Sequence, residues 1–577
     1  MIRKRDDEES KVETAKREGR HLRGTIRESL ASDAAAFGQA DAHLLKFHGA
    51  YQQDDRDLRR GLRDQGLDKA HQFMVRAAIP GGGLNAEQYL ALDALADVFG
   101  NGSMRITTRQ GMQLHGVLKQ DLRATIARIN QTLLTTFAAC GDAGRNVMAC
   151  PAPLADKPHR LLRELSRRIA VQLRPATRAY HEIWLDGDRV VSTQEEEPFY
   201  GDRYLPRKFK TGIALDTDNC VDVYSHDCGL VAITGAGAFR GFNVLVGGGM
   251  GMTHGKADTF AKIAEPFAFI EVEQAVETVR ALAAVFRDFG NRADRRHARL
   301  KYLIAEWGLD AFRAEFRQRV SFEPKAPLAL LPPDCHDHLG CRPQGDGKWF
   351  CGVFIQSGRI DNREGLRLKT ALRGLVARYR PGIRLTASQS LLLTDLDETA
   401  VEDVERTLAA HGVRPVAELS AARRYSMACP ALPTCGLAMA ESERLFPSVL
   451  ERFEVELESL DMGDVPITLR MTGCPNGCAR PYTADIAFVG RRPDVYDVFV
   501  GGGLSGHRVA DLYAADVSVG ELVAVVRPLL RRWAAERRAG EGLGDLYQRL
   551  VKHDAPRTMI TGNEVPTSPL IQLEIDR

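Results

Sequence analysis

No stretch of this 577-residue sequence is apolar for long enough to cross a bilayer, and its first residues lack the apolar core of an export signal. The expectation is a cytoplasmic protein with no membrane partner. Charge of one sign is missing too. Lys and Arg number 78 against 76 Asp and Glu, and a formal net charge of +2 gives no global field for nucleic acid. Any electrostatic function must come from local clustering. The opening stretch MIRKRDDEESKVETAKREGR is dense in both signs and reads as a solvated, partly disordered tail, or else as a docking arm for a partner.

What is present is length, repetition and cysteine. The chain is too long for one core, so three or more domains are expected. Eleven cysteines without an export signal point to metal or redox chemistry rather than a disulfide framework. Two long stretches echo each other. MRITTRQGMQLHGV, with Arg105, resembles IRLTASQSLLLTDL, with Arg384; NVMACPAP around Cys150 resembles YSMACPAL around Cys429. Both pairs are offset by 279 residues, and a later pair, VLVGGGMG and VFVGGGLS, by 254. The chain is a duplicated module.

Each copy opens alike. An apolar strand over 73–79 precedes a helix over 85–99, where Asn85 with Gln88 forms a capping-box start and Leu92, Leu95, Ala96 and Phe99 line one face. Strands follow at 105–108 and 112–117. The second copy repeats the order, with a strand at 352–356, a helix at 362–379 and a strand at 383–386. This pattern predicts an α+β fold of helix-backed, largely antiparallel sheets. Residues 323–348, rich in Pro, Gly and Asp, read as a linker.

Cys429 and Cys435 are spaced C-x5-C, and Cys474 and Cys478 C-x3-C, in ACPALPTC and TGCPNGC. Four thiolates from two short loops suit a cubane, which takes one sulfur per iron. Pro475 and Gly477 fit the tight turn between the second pair. Zinc is the structural rival, although zinc ribbons usually carry C-x2-C knuckles. Cys150 stands where Cys429 does, yet the rest of the set has no visible match in the first copy. One cluster and one degenerate copy are expected.

The first copy is instead rich in cations at the repeat positions. Arg76, Arg105, Arg109, His115, Arg145, Arg207, Lys208, Lys210 and Lys301 fall in its motifs, and Arg109 and His115 become Ser388 and Thr394 in the second copy. On alternating strand positions Lys208 and Lys210 share a face. Such a set can hold a polyanion, although any one member alone reads as a surface charge. Gly501 to Gly506 matches a dinucleotide-binding pattern, but the glycines recur in the first copy and read better as a turn or close backbone approach. Cys335, His336, Asp337, His338 and Cys341 look like a metal site, but they lie in the linker without a counterpart, and no functional metal is expected there.

Through LRGTI, FHGAYQQDDRD, LPRKFKT, GNR-D-R, SMAC-x5-C and MTGCPNGC, from about Leu22 to Arg549, the chain resembles the haemoprotein (beta) subunits of assimilatory NADPH-type sulfite reductases, within the siroheme sulfite and nitrite reductases. The resemblance implies a duplicated fold with ferredoxin-like half-repeats at 63–140 and 349–420 and a siroheme- and substrate-binding domain at 141–322. A charged arm and lead-in at 1–62, the linker at 323–348, and a cluster-binding domain with a tail at 421–577 complete it. It implies a 4Fe-4S cluster on Cys429, Cys435, Cys474 and Cys478, with Cys478 also the proximal siroheme ligand. Arg76, Arg145, Lys208 and Lys210 would hold sulfite. Arg105, Arg109, Gln113, His115, Arg207, Lys301 and Asn476 would contact the siroheme or its surroundings. The implied activity is six-electron reduction of sulfite to sulfide for cysteine biosynthesis, with NADPH-derived electrons delivered by a flavoprotein (alpha) subunit. Two rivals stand beside it: a ferredoxin-dependent sulfite or nitrite reductase, and a non-catalytic metal-binding module. The segment YSHDCGLVAI near Asp227 and the tail TMITGNEVPTSPLIQ depart from the family pattern.

Overall fold

In the computed structural model, the described residues are 9–176, 182–185, 188–192, 197–235, 238–329 and 331–554. The tail segment TMITGNEVPTSPLIQ lies outside them. The duplication is visible as two pairs of matching sheets.

The first sheet of the ferredoxin-like type runs Ala50–Asp54, His71–Ala77, Met112–Val117, Met104–Ile106 and then Arg359–Ile360. Its counterpart runs Gly340–Pro343, Trp349–Val353, Leu391–Leu396, Gly382–Leu385 and then Gly83–Leu84. The last strand of each sheet therefore comes from the opposite copy: Arg359 pairs with Arg105, and Gly83 with Arg384. A reciprocal exchange of this kind closes an edge on each sheet and ties the halves together. Sequence periodicity gives no sign of two-residue strands.

Helix Ala86–Val98 starts where expected. Gln88 N–H donates to Asn85 Oδ1 at 2.8 Å, and Asn85 N–H to Gln88 Oε1 at 3.1 Å, completing the capping box. Tyr89, Leu92, Leu95 and Ala96 are buried against the sheet, each large side chain worth about 1.5–3 kcal/mol of burial. The second-copy helix is shorter than its pattern suggested, Leu368–Tyr379, because residues 362–367 form a turn closed by Arg363 and Leu366.

The other two sheets share a different order. Met148–Ala149 runs parallel to Thr211–Leu215, which runs parallel to Cys228–Gly235, followed by antiparallel Ala238–Val246 and Glu265–Ile270. In the second copy Met427–Ala428, Leu469–Thr472 and Ile486–Arg492 are parallel, then Val495–Val500 and Asp511–Ser518 antiparallel. Helices Lys157–Gln172, Ala275–Phe289 and Leu300–Arg317 cover the first, and Phe446–Glu458, Leu522–Glu536 and Leu543–Asp554 the second.

Three expectations change. Residues 9–28 are not a solvated tail. Helix Lys11–Glu18 packs inward, Lys16 donates to Leu205 O at 2.9 Å, and Glu13 pairs with Arg292 at 2.6 Å. A dense charge run is read as solvated only because its partners lie far away in sequence. The end of the linker, Gly340–Pro343, forms a strand, and Cys341 is disulfide-bonded to Cys351 across the hairpin. One disulfide therefore exists where none was expected. The glycine-rich loops, by contrast, behave as their recurrence in both copies suggested. Gly501–Gly503 leads into another strand rather than a helix, and a Cβ on Gly502 would lie 2.4 Å from Ala484 O, as one on Gly248 would lie 2.3 Å from Tyr224 O. Both glycines let backbone approach backbone.

Candidate functional site

The cysteine loops leave the ends of neighbouring parallel strands. Cys429 follows Met427–Ala428, and Cys474 follows Leu469–Thr472, so adjacent strands deliver both loops to one end of the sheet. Gly473 N–H points at Cys429 Sγ at 3.4 Å, and Asn476 Nδ2 at Cys474 Sγ at 3.4 Å. Gly477 has a φ of 63°, and a Cβ there would meet Met250 O at 2.9 Å. The C-x3-C turn is thus cradled by the first copy's glycine loop, where Met252 N–H donates to Pro475 O at 2.9 Å.

Burial pushes the Cys429, Cys435 and Cys474 thiols up, Cys474 to about 12, and the Cys478 charge adds to each. Four sulfurs that feel one another in this way require a shared positive centre before they can all be thiolates. Among the described residues, the donors close enough for a single ion are a different set, taken up below. Sulfurs wider apart than a single ion tolerates suit a cube, in which each takes its own iron.

Cys478 is the exposed member. It lies against the first copy, where Thr108 Oγ1 donates to its carbonyl at 2.9 Å, and within electrostatic reach of Arg76 and Lys208. Strand register explains how the cations gather. Arg76 stands opposite Gln113, and Gln113 opposite Arg105, so the three share a face with His115 two residues on. Phe209 is buried, and the segment around it pairs with residues 143–145 through a single bridge rather than a regular strand. Arg145 N–H donates to Phe209 O at 2.8 Å, which sets Lys208 and Lys210 on either side of a buried anchor.

Burial drives the Lys208 and Lys210 ammoniums well below their ordinary range, and Arg207, Arg299 and Arg145 press further on Lys208. Burial also lowers Arg109 to about 9 and Arg207 to about 10, leaving both charged at neutral pH. His115 is buried and held far below its usual value, hence neutral.

The arrangement fits a large anionic prosthetic group. Arg76 Nε, Arg109 Nε, Gln113 Oε1, Asn146 Oδ1 and both ring nitrogens of His115 are buried without a hydrogen-bond partner. Orphans of this kind cost roughly 1–3 kcal/mol each, and so many on neighbouring segments of the first copy indicate a ligand that satisfies them.

Other predicted residues have different surroundings. Arg105 spends its donors on Glu443 at 2.8 Å and Ala428 O at 2.9 Å, holding the strand that leads to Cys429. Lys301 bonds the carbonyls of Gly249 at 3.1 Å and Gly251 at 2.8 Å, bracing the loop under the C-x3-C turn, and burial lowers it to about 7. Arg145 reaches Gly141 O at 2.8 Å, and Arg76 reaches Cys140 Sγ at 3.2 Å.

Sequence reading missed the charges that brace the site, within the first copy and between the halves. Asp227, in the segment that departs from the family pattern, binds Arg299 at 2.8 Å and the backbone N–H of Lys210 at 2.8 Å. Asp222 pairs with Arg470 at 2.9 Å and with Arg480, whose guanidinium also reaches Thr108 O and Ala387 O. Glu443 binds Arg359 at 2.6 Å as well as Arg105. Their signal was available only as repeat positions: Asp222 and Arg480 both adopt left-handed φ, at 51° and 52°.

A duplicated α+β scaffold that sets a four-cysteine cradle against a buried basic cleft defines a class, the cofactor-bearing redox proteins. Residues 164–323 and 421–551 match the nitrite and sulphite reductase 4Fe-4S domain, and residues 65–132 and 342–411 the nitrite/sulfite reductase ferredoxin-like half domain. The chain is 43% identical over 540 residues to a sulfite reductase [NADPH] hemoprotein beta-component of Staphylococcus haemolyticus, covering 93% of this chain and 94% of that one. It is also 43% identical over 562 residues to a sulfite reductase [ferredoxin] of Synechococcus elongatus, covering 94% and 89%. The structure of the Mycobacterium tuberculosis NirA protein matches with a TM-score of 0.75 and 26% identity, over 94% of this chain and 97% of that one. The chain belongs to the nitrite and sulfite reductase family. It is an oxidoreductase whose cofactors are siroheme and a 4Fe-4S cluster.

Proposed function

We propose that this chain reduces sulfite to sulfide in sulfur assimilation, as the siroheme- and cluster-bearing component of a cytoplasmic sulfite reductase. One observation carries the reading: the exposed Cys478 lies within electrostatic reach of Arg76 and Lys208, on the side of the first copy where buried polar atoms are left without partners. Cys429, Cys435, Cys474 and Cys478 would hold the cluster, and Cys478, the exposed member, would also serve the siroheme. Bound together, the two groups supply electrons one at a time beside the substrate.

Everything else falls to side chains. Arg109, Arg207, Gln113, His115 and Asn476 seat the carboxylate-rich macrocycle, with Arg105 and Lys301 positioning the strand and loop beneath it. Arg76, Arg145, Lys208 and Lys210 bind the sulfite anion and stabilise negative charge on each departing oxygen. Lys208 and Lys210, driven down by burial and by neighbouring cations, release protons far more readily than free lysines, as removing oxygen as water requires.

Electrons come from a partner, a flavoprotein subunit oxidising NADPH. The ferredoxin-named relative, matched at the same identity, makes ferredoxin the second donor to test. The purified protein is expected to show siroheme absorption bands and acid-labile sulfide, and to turn over sulfite faster than nitrite. A colourless protein, made in a host able to build both groups, sinks the proposal; turnover with flavoprotein against ferredoxin decides the donor.

A further inference from the structure

The first copy keeps more of the cluster site than its sequence suggests. Strand register aligns Met148 with Gly212 and Met427 with Arg470, an offset of 279 on one strand and 258 on its neighbour. On that second offset Asp222 falls on Arg480, both left-handed, and Cys220 falls on Cys478. Cys150 and Cys220 are therefore the counterparts of Cys429 and Cys478. The expectation that the first copy matched Cys429 alone is corrected here. A 21-residue difference in the spacing between the two strands hid the second match.

These two cysteines are not alone. Their sulfurs, a carboxylate oxygen of Asp218 and a ring nitrogen of His338 all lie within 4.8 Å of one another. Cys150 Sγ is 3.4 Å from Asp218 Oδ2 and 3.7 Å from His338 Nε2, and His338 Nε2 is 3.1 Å from Asp218 Oδ2. Ligands at zinc bond lengths of about 2.0–2.3 Å stand roughly 3.4–3.8 Å apart at the corners of a tetrahedron. The cluster is close to that size already. Cys150, Asp218 and His338 are buried at 1%, 5% and 8% exposure, so water does not compete freely for them.

We propose that Cys150, Cys220, Asp218 and His338 form a structural zinc site, distinct from the cluster and siroheme. Two thiolates, an imidazole and a carboxylate suit a borderline divalent ion better than a hard one, and a closed set of four ligands leaves no position for substrate. Only two thiolates are present, too few for a cubane. Outer contacts are also in place. His336 N–H donates to Asp218 Oδ1 at 3.0 Å, leaving Oδ2 for the ion, and His159 lies against the Cys150 sulfur.

The site would pin the linker. His338 comes from the stretch between the copies, Asn219 N–H donates to Asp334 O at 2.7 Å, and Tyr425 donates to Cys335 O at 3.2 Å. Arg424 binds Asp337 at 2.7 Å. An ion there would fix the chain that carries the second copy into register with the first. Cys341, bonded to Cys351, takes no part.

Full-length holoenzyme purified without chelators is expected to hold about one zinc per chain in addition to its iron, the ratio that one closed four-ligand site requires. Zinc-edge X-ray absorption should give two sulfurs near roughly 2.3 Å and two lighter atoms near about 2.0–2.1 Å. Cys220→Ser and His338→Gln should each lower zinc at least about fivefold, while iron, acid-labile sulfide and the siroheme bands stay unchanged. Absence of zinc from the wild-type holoenzyme overturns the proposal, as does a shell without sulfur. So does zinc retained in both variants, or a Cys150–Cys220 disulfide found by peptide mapping. The absorption measurement needs only wild-type protein, so poor folding of a variant leaves the test intact.

Discussion

The two copies put the same end of the same sheet to opposite uses. In the second, Met427–Ala428 and Leu469–Thr472 lead into the loops of the four thiols proposed to hold the cluster. In the first, Met148–Ala149 and Thr211–Leu215 lead to two thiols and a carboxylate, which meet the linker's His338 imidazole in a set too tightly spaced for a cube, and the cations gather nearby. Both scaffolds rest on one device. Gln110 and Gln389, left-handed at φ of 53° and 68° and fully buried, each accept from the N–H of the alanine before the cysteine, Ala149 at 3.0 Å and Ala428 at 3.2 Å. The difference teaches that duplication preserved backbone positions and let the side chains divide the work. On the proposed reading, one copy holds the electron store and the other supplies positive charge for the anions.

The comparison breaks most visibly at Cys478. Cys478→Ser should abolish sulfite turnover and the coupled visible spectrum, whereas Cys220→Ser, at the matching position, should leave both intact. An unchanged spectrum in the first variant would rule out a bridging role. Next in size is Lys208→Met, which should keep the spectrum and lower kcat by about 10²–10³-fold, the cost of removing a preorganised charge. Because the Lys208 ammonium titrates well below its ordinary range, the alkaline limb of wild-type activity should lie below pH 10.5. Lys208→Arg should move that limb upward; a limb that stays in place would remove Lys208 from proton delivery.

A third test concerns the charged arm, which Leu205, Asp142 and Arg292 of the first copy hold. Burial favours the neutral form of Asp142, but Arg295, Lys16 and Arg207 outweigh it and hold the carboxyl far below its ordinary value. Its folded value is depressed, so its contribution is complete above the unfolded carboxylate value near 4. It is lost as pH falls toward the folded value, on the order of 2–3 kcal/mol in all. Proteolysis of residues 9–28 should therefore accelerate below about pH 4, and Asp142→Asn should flatten that dependence. The smallest effect sharpens the symmetry. Gln110→Ala and Gln389→Ala should each lower the denaturation midpoint by the equivalent of about 1–3 kcal/mol, with similar size in both halves. A loss at only one position would show that the two copies no longer share the device.

Much of this was legible before the fold. The capping box at Asn85, the 279-residue repeat, the four cysteines and the cations from Arg76 to Lys210 are local signals, set by spacing and residue type. Other features were not legible. Strands Gly83–Leu84 and Arg359–Ile360 are too short to show a period of two and form only by pairing with the opposite copy. Arg105 looked like one cation among many, yet Glu443, 338 residues away, takes its charge. Lys16 and Glu13 looked solvated until Asp142 and Arg292 were placed beside them.

The order of residues by itself determined which chemical groups this protein owns: thiols in two tight pairs, basic side chains at repeat positions, and two copies of a helix-backed sheet. Those follow from local spacing and propensity, which need no knowledge of distant chain. Only the tertiary structure decided which groups meet. Cys478 within electrostatic reach of Lys208, Cys220 beside His338, and Glu443 between Arg105 and Arg359 all depend on long-range packing and strand register. Charge and ligand geometry act through space, and the sequence orders residues only along the chain.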